Sequence, residues 1–279
     1  MTNRIGACSW SLQPASPSEL AQRLQAVGVN AVQLALDPLR TGAWPIHQTI
    51  ELLHAAGIEI RSGMIGMQGE DYSTLEAIRR TGGLRPDEHW QANLRAVHSS
   101  ATIARQLGIG LVTLHAGFLP HERSDPARRV MLDRLRTVID VFAAQGVRVG
   151  LETGQETADT LLDVLAELER PGLGVNFDPA NMILYGMGEP VAALRKLAPR
   201  VAQIHVKDAV ATQQPGTWGR EVPVGTGQVD WPAFFAVLRE ARLTCDLMIE
   251  REAGTERIAD MRHAYQFVLR HLQSPGAAR

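Results

Sequence analysis

The feature that most constrains this chain is a unit that recurs along it: an amphipathic helical stretch, a glycine, a Val or Ile, then a short apolar run. It reads Val27-Gly28-Val29, Ala56-Gly57-Ile58, Leu107-Gly108-Ile109 and Gln145-Gly146-Val147. A glycine in that place suits the left-handed residue that closes a helix. The apolar runs that follow read as interior strands of a parallel sheet, each with one polar residue at its end. Strands are predicted at residues 4–9, 31–36, 59–64, 111–115, 148–152, 174–178, 202–206 and 247–250. Helical patterns fill the gaps. Ser16-Pro17-Ser18-Glu19 is a capping box with proline at the first helical position, and its helix runs through Leu24. Asp230-Trp231-Pro232 opens another that runs through Leu238.

Eight strands at roughly 35 residues per unit match a closed parallel barrel. The competing architecture, an open doubly wound sheet, usually carries a Gly-rich dinucleotide turn after its first strand. Here that strand runs into Cys8-Ser9-Trp10-Ser11-Leu12, with no such turn. The expected class is therefore α/β: a (β/α)8 TIM barrel, a parallel eight-stranded closed sheet with outer helices. One domain is expected over residues 1–272. Residues 66–87 contain a Gly-Gly and little periodicity, and are expected over the barrel mouth as a lid or rim insertion. Residues 273–279 read as a flexible tail.

Composition narrows the partners. Among 279 residues, 28 Lys and Arg face 30 Asp and Glu, a formal charge of −2. No field of one sign is available to condense on nucleic acid or an anionic membrane, so neither is expected as a partner. Cys8 and Cys245 both fall in predicted strands and lack zinc-site spacing, which reads as buried free thiols in a reducing compartment. The N-terminus enters an apolar strand at once, without the charged and apolar stretches of a secretory signal. No apolar run approaches the roughly 20 residues that span a bilayer. A cytoplasmic protein is expected.

In a parallel barrel the active site gathers at the C-terminal ends of the strands. The last residues of predicted strands four to eight are His115, Glu152, Asp178, His205 and Glu250. Each ends an apolar run, where an unpaired buried charge costs several kcal/mol. Three converging carboxylates repel each other unless a cation sits between them, and a divalent metal held by Glu152, Asp178, His205 and Glu250 is the natural resolution. Three oxygens and one nitrogen favour harder ions such as Mn2+ or Mg2+, and Co2+ or Zn2+ also fits.

The motifs Leu151-Glu152-Thr153, Asn176-Phe177-Asp178-Pro179-Ala180-Asn181, Gln203-Ile204-His205-Val206-Lys207-Asp208 and Ile249-Glu250-Arg251-Glu252 resemble those of the xylose-isomerase-like superfamily, the sugar phosphate isomerase/epimerase family. Residues 223–231, Pro-Val-Gly-Thr-Gly-Gln-Val-Asp-Trp, resemble its loop leading into helix seven. The resemblance covers nearly the whole chain and is strongest from strand five onward. It implies one divalent metal on the four positions named, Glu152 and Glu250 as acid and base, a carbohydrate substrate, and homo-oligomeric assembly, since relatives are often dimers or tetramers. One departure stands out. In the ketose 3-epimerase branch a histidine follows the strand-six aspartate by three positions, and here that residue is Asn181, which counts against a free ketohexose.

Several further residues are candidates for substrate binding. His115 is either a ligand to a substrate oxygen or a satisfied strand-end histidine. Lys207 shares the inward parity of His205, and serves either an anion in the substrate or a salt bridge to Asp208 or another local acid. Trp218 and Arg220 offer a stacking face and a clamp, or a solvated pair. Trp10 is a candidate wall, Asn181 a candidate contact, and Glu156 either a substrate contact or a helix N-terminal acid. Gly225-Thr226-Gly227 is a weak phosphate cradle with no Arg or Lys cluster beside it. The expected function is metal-dependent sugar isomerisation or epimerisation by proton abstraction next to a carbonyl, through an enediolate, on a ketose, keto-glycoside or related polyol. The alternative is a lyase or dehydratase on a keto-sugar or keto-inositol with the same base and metal. An endonuclease IV-like hydrolase and a binding protein that has lost catalysis are the more distant readings.

Overall fold

Eight parallel strands close on themselves in the computed structural model, which describes residues 3–214 and 216–273. In chain order the strands are β1 (Ile5–Cys8), β2 (Ala31–Ala35), β3 (Glu59–Met64), β4 (Leu111–Leu114), β5 (Arg148–Glu152), β6 (Gly174–Phe177), β7 (Val201–Val206), β8 (Asp208–Val210), β9 (Arg220–Val222) and β10 (Asp246–Ile249). The barrel order is β1-β10-β7-β6-β5-β4-β3-β2, and every neighbouring pair is parallel. β8 and β9 form a separate antiparallel ribbon that the sequence pattern did not announce.

The eight expected strands are these eight, with ends shifted by one residue at most sites. His115, Asp178 and Glu250 fall one position past their strands, while Glu152 and His205 stay inside theirs. The shift has a local cause at Asp178, which leaves the ladder to cap the helix Pro179–Tyr185. Ser16 caps the helix Pro17–Val27, which extends to a left-handed Gly28 at φ 97°. Gly57, Gly108 and Gly146 take the same left-handed conformation. The segment 66–87 is more ordered than its composition suggested. Thr74 accepts a hydrogen bond from Ala77 N and starts a short helix, Leu75–Thr81. Gln273 ends the helix Arg257–Gln273, and the rest of the expected tail lies outside the described residues.

The apolar core lies between the sheet and its outer helices. Leu24, Val97, Leu135 and Val164 on the helices are fully buried, as are Leu34, Val112 and Val175 on the strands. Each such side chain contributes about 1.5–3 kcal/mol by leaving water. The inside of the barrel is different. Gln33, Ser62, Thr113, Asn176 and Gln203 project into it, none more than 1% exposed. Their bonds cross the lumen: Gln33 Nε2 donates to Thr113 Oγ1 at 2.7 Å, and Ser62 Oγ donates to Gln203 Oε1. Gln203 Nε2 in turn donates to Asn176 Oδ1 at 3.1 Å. The strands therefore carry a polar layer below their ends, where only one terminal polar residue was expected.

Asp208 fixes the loop between β9 and the helix Trp231–Glu240. Its fully buried carboxylate accepts from Gly225 N (2.9 Å), Gly227 N (3.1 Å), Val229 N (3.2 Å) and Trp231 Nε1 (2.9 Å). Gly227 is required by space, since a Cβ there would stand 2.1 Å from Asp208 Oδ1. Asp208 is thus not a partner of Lys207, one of the two options read for that lysine. No helix among the described residues is long and apolar enough to cross a membrane. Asp208→Ala leaves five donors without an acceptor, counting Ala209 N (2.9 Å), and those from Ala209, Val229 and Trp231 are buried. A loss of about 3 kcal/mol or more is expected in urea unfolding, because each bond to a charged group contributes about 1.5–3 kcal/mol. A loss below about 1 kcal/mol would show that the loop is held elsewhere.

Candidate metal centre and cavity

Parallel strands deliver side chains of one parity to the lumen, and at the C-terminal rim these are Glu152, His205, Asp178 and Glu250. One ligand atom from each lies within 4.8 Å of all the others. His205 Nδ1 sits at the middle, 3.3 Å from Glu152 Oε1, 3.3 Å from Glu250 Oε2 and 3.7 Å from Asp178 Oδ2. None of the four side chains is more than 3% exposed.

Each group is held from outside the cluster. Asp178 Oδ1 accepts from Ala180 N (2.8 Å) and Asn181 N (2.9 Å), the first free donors of the helix it caps. Thr153 Oγ1 accepts from Asp178 N at 2.8 Å. Glu152 Oε2 accepts from Asn176 Nδ2 at 3.0 Å and Oε1 from Asn181 Nδ2 at 3.0 Å. Trp10 Nε1 donates to Glu250 Oε1 at 2.7 Å. What these bonds leave over points inward: Asp178 Oδ2 and His205 Nδ1 are buried without a hydrogen-bond partner, and Glu250 Oε2 has Lys207 Nζ at 3.0 Å as its one close cation. Buried polar atoms are rarely left unpaired. These three atoms, at the ends of the neighbouring strands β6, β7 and β10, aim at one point and fit a resident cation.

The charge count agrees. Lys207 Nζ lies 3.0 Å from Glu250 Oε2, 2.6 Å from Glu252 Oε2 and 3.9 Å from Asp178 Oδ2. Four carboxylates thus surround two cationic side chains, His205 and Lys207, and negative charge remains in excess. Burial opposes ionisation of Glu152, but His115 and His205 outweigh it and hold its carboxyl below the usual range. Burial likewise opposes Glu250, and Lys207 and His205 hold it well below that range. Asp178 is different: burial lifts it to about 6, with Lys207 pulling the other way. His205 and Lys207 are both pushed well above their usual values in spite of burial, by the acidic groups packed round them.

Above the cluster opens a cavity of about 430 Å³. Its walls include Trp10, Tyr72, Tyr185 and Trp218, with Trp218 edge-on to Tyr185 at 5.0 Å. The segment 66–87 contributes Gly66, Glu70 and Tyr72. Of the candidates read from the sequence, the cavity wall includes Trp10, His115, Asn181, Lys207, Trp218 and Glu250. His115 Nε2 lies 3.5 Å from Glu152 Oε1. Arg220 is not among them: it is exposed on β9, and its neighbour Glu221 lines the cavity instead. Alternation along the ribbon turns Arg220 to solvent. Glu156 is also absent from the wall, although it is buried at 4%. Gly225-Thr226-Gly227 offers no phosphate cradle, because Asp208 already occupies its N–H groups.

The sequence reading passed over Gln33, Asn176 and Gln203. Gln33 Oε1 lies 2.7 Å from His205 Nε2, and Asn176 reaches Glu152. The missed signal was parity, for Asn176 and Gln203 stand two residues before Asp178 and His205 on the same strand face. The free cysteines divide: Cys8 is buried beside His205, Cys245 is only half-buried, and burial pushes both thiols up to about 12.

A family model described as "Xylose isomerase-like TIM barrel" matches residues 21–271. The chain belongs to that family. A xylose isomerase domain protein from Planctomyces limnophilus is 34% identical over 90% of this chain and 91% of its own, with a TM-score of 0.84. Two more distant structures share the xylose isomerase-like barrel. They are the 3-keto-D-glucoside 4-epimerase YcjR from E. coli (16% identity, TM-score 0.73, 96% and 100% of the two chains) and the probable 3-DHS dehydratase AsbF from Bacillus anthracis (18%, 0.72, 96% and 99%). Among curated proteins, the uncharacterized protein YihM of Escherichia coli K12 is 29% identical over 104 residues, a stretch covering 37% of this chain and 31% of that protein.

Glu156 generates a stability test. Burial lifts its carboxyl from the ordinary 4.5 to about 8, so the folded state holds a proton that the unfolded chain releases. Its contribution is present below about pH 4.5 and is lost as pH rises through 8. Glu156→Gln removes this dependence. The variant is expected to match wild type near pH 5 and to exceed it by on the order of 3 kcal/mol at pH 8, measured by urea unfolding across that range. Parallel stability curves would contradict it.

Proposed function

We propose that the protein is a divalent-metal-dependent isomerase or epimerase. It moves a proton at a carbon beside a carbonyl, through an enediolate, on a ketose, keto-glycoside or related polyol. The observation that carries this is the convergence of three buried atoms, Asp178 Oδ2, His205 Nδ1 and Glu250 Oε2, with Glu152 at the floor of a sugar-sized cavity.

Glu152, Asp178, His205 and Glu250 hold the metal. When bound, it supplies positive charge against the negative charge that develops on the substrate oxygens. The chain's own groups carry the proton. Glu250, kept ionised by Lys207 and His205, is in the form a base needs, and Trp10 fixes the orientation of its carboxylate. Glu152 stands on the other side of His205, anchored by Asn176 and Asn181, and offers a second position from which a proton can return. Glu250 takes the proton from one face, Glu152 returns one to the other face after taking it up from solvent, and Glu250 then releases its proton to solvent, which inverts the carbon. His115, Asn181 and Lys207 contact substrate oxygens, and Trp10 and Trp218 form apolar faces for the sugar ring.

The cavity favours a substrate without phosphate. Among the described residues its wall contains no arginine, and the one lysine on it is engaged by Glu250 and Glu252. Of the other acids on the wall, Glu70 adds negative charge, while Asp37 and Glu221 are paired with Arg40 and Arg251. A second reading, β-elimination, is favoured by Lys207 itself, a buried ammonium on the cavity wall. It can give a proton to a departing hydroxyl, which then leaves as water after the base has taken the α-proton. AsbF, whose name describes a dehydratase, shares the barrel.

The test is proton NMR in D2O of the metal-loaded protein with a panel of ketoses, inososes and 3-keto-glycosides. Deuterium uptake beside the carbonyl with an unchanged skeleton is expected, abolished by chelation and lowered about 10²–10⁴-fold in Glu250→Gln. Loss of water would assign elimination. Full exchange in Glu250→Gln would overturn the role given to that residue.

A further inference from the structure

We propose that Gln33 is the positioning residue that fixes the orientation of His205, so that Nδ1 is the nitrogen free to face the carboxylates. The inference rests on the metal reading above but concerns a residue from the opposite wall of the barrel. Gln33 lies on β2 and His205 on β7, and both are 0% exposed. Gln33 Oε1 stands 2.7 Å from His205 Nε2. A carbonyl oxygen can only accept, so Nε2 carries the proton.

The orientation of the Gln33 amide decides this; the Cys8 thiol, a donor, sets it, and the Thr113 hydroxyl accommodates it. Gln33 Nε2 donates to Thr113 Oγ1 at 2.7 Å. Cys8 Sγ lies 3.5 Å from Oε1 and donates to it. With the amide reversed, an N–H would face His205 Nε2, which would then have to accept. The proton would move to Nδ1, and the lone pair would be turned away from Glu152, Asp178 and Glu250. Asn176 Nδ2 also stands 3.0 Å from Nε2; one of its two protons goes to Glu152 Oε2, and the shorter contact, 2.7 Å to Gln33 Oε1, is the one assigned to the Nε2 proton. The bond from Nε2–H to Gln33 persists whether Nδ1 holds a proton or faces a metal, so the ring is oriented before any cation arrives. Outer residues of this kind typically alter metal affinity by about 10–100-fold.

The test compares wild type, Gln33→Leu and Gln33→Glu by calorimetric titration of the metal-stripped proteins with Mn2+. It adds long-range proton–nitrogen NMR of the histidine-labelled proteins with and without Zn2+. The leucine variant is expected to bind Mn2+ about 10–100-fold more weakly, and its His205 Nε2 proton to exchange faster with solvent. The glutamate variant accepts the same proton and makes the ring a better ligand. It is expected to bind at least as tightly as wild type, a gain that damage to the fold does not produce. Wild-type affinity and an unchanged Nε2 signal in the leucine variant would overturn the proposal. Loss of binding in a folded glutamate variant would do the same. If wild type binds no metal, the metal reading fails by itself. The Nε2 proton in metal-free protein then decides on Gln33: faster exchange in the leucine variant supports the proposal, and an unchanged rate ends it.

Discussion

Three carboxylates packed around one imidazole, all out of contact with water, set the terms for the rest of this structure. An isolated buried charge costs several kcal/mol, and like charges at this spacing add repulsion to that cost. The fold answers by holding each acid from outside. The first turn of a helix takes one oxygen of Asp178, the Trp10 indole takes one of Glu250, and the amides of Asn176 and Asn181 take both of Glu152. Lys207 adds a buried ammonium at the edge. These contacts reduce the cost without removing it, and the remaining negative charge is directed at one point. A cation placed there completes the arrangement.

That demand explains why the barrel interior is polar. Interiors of such barrels are usually layers of branched aliphatic residues. In this one Gln33, Ser62, Thr113, Asn176 and Gln203 form a layer of amides and hydroxyls whose bonds cross from wall to wall. The layer sits under the carboxylates and ties the orientation of the catalytic-end groups to strands on the far side. Apolar burial, the main source of stability, is left to the interface between sheet and helices. Stability and site geometry thus occupy different faces of the same strands, which lets each strand serve both.

Much of this was legible in the residues, and what was not has a physical reason. Strand positions were readable because the strands are short runs dominated by apolar residues, and because Gly28, Gly57, Gly108 and Gly146 mark the helix ends with a conformation few other residues adopt. Asp178 and His205 stood out as polar ends of apolar runs. Gln33 did not, since one amide inside a strand carries no charge to signal a partner, and its partner lies 172 residues away. Arg220 was misplaced because the loop after β7 folds into an antiparallel ribbon, and a shift of one position exchanges the cavity face for the solvent face. Segment 66–87 concealed a helix because seven residues are too few to show a period. Family membership was legible from the motifs near β5, β6, β7 and β10, where the chemistry restricts the residue type.

The account's central claim is that the acidic cluster is built for a metal rather than closed on itself by ion pairs. Crystals grown with Mn2+ and measured near its absorption edge test this directly. The account predicts one strong anomalous peak enclosed by Glu152, Asp178, His205 and Glu250, with Gln33 still bonded to His205 Nε2. A map with no peak there, and with His205 Nδ1 hydrogen-bonded to one of the carboxylates, would contradict it.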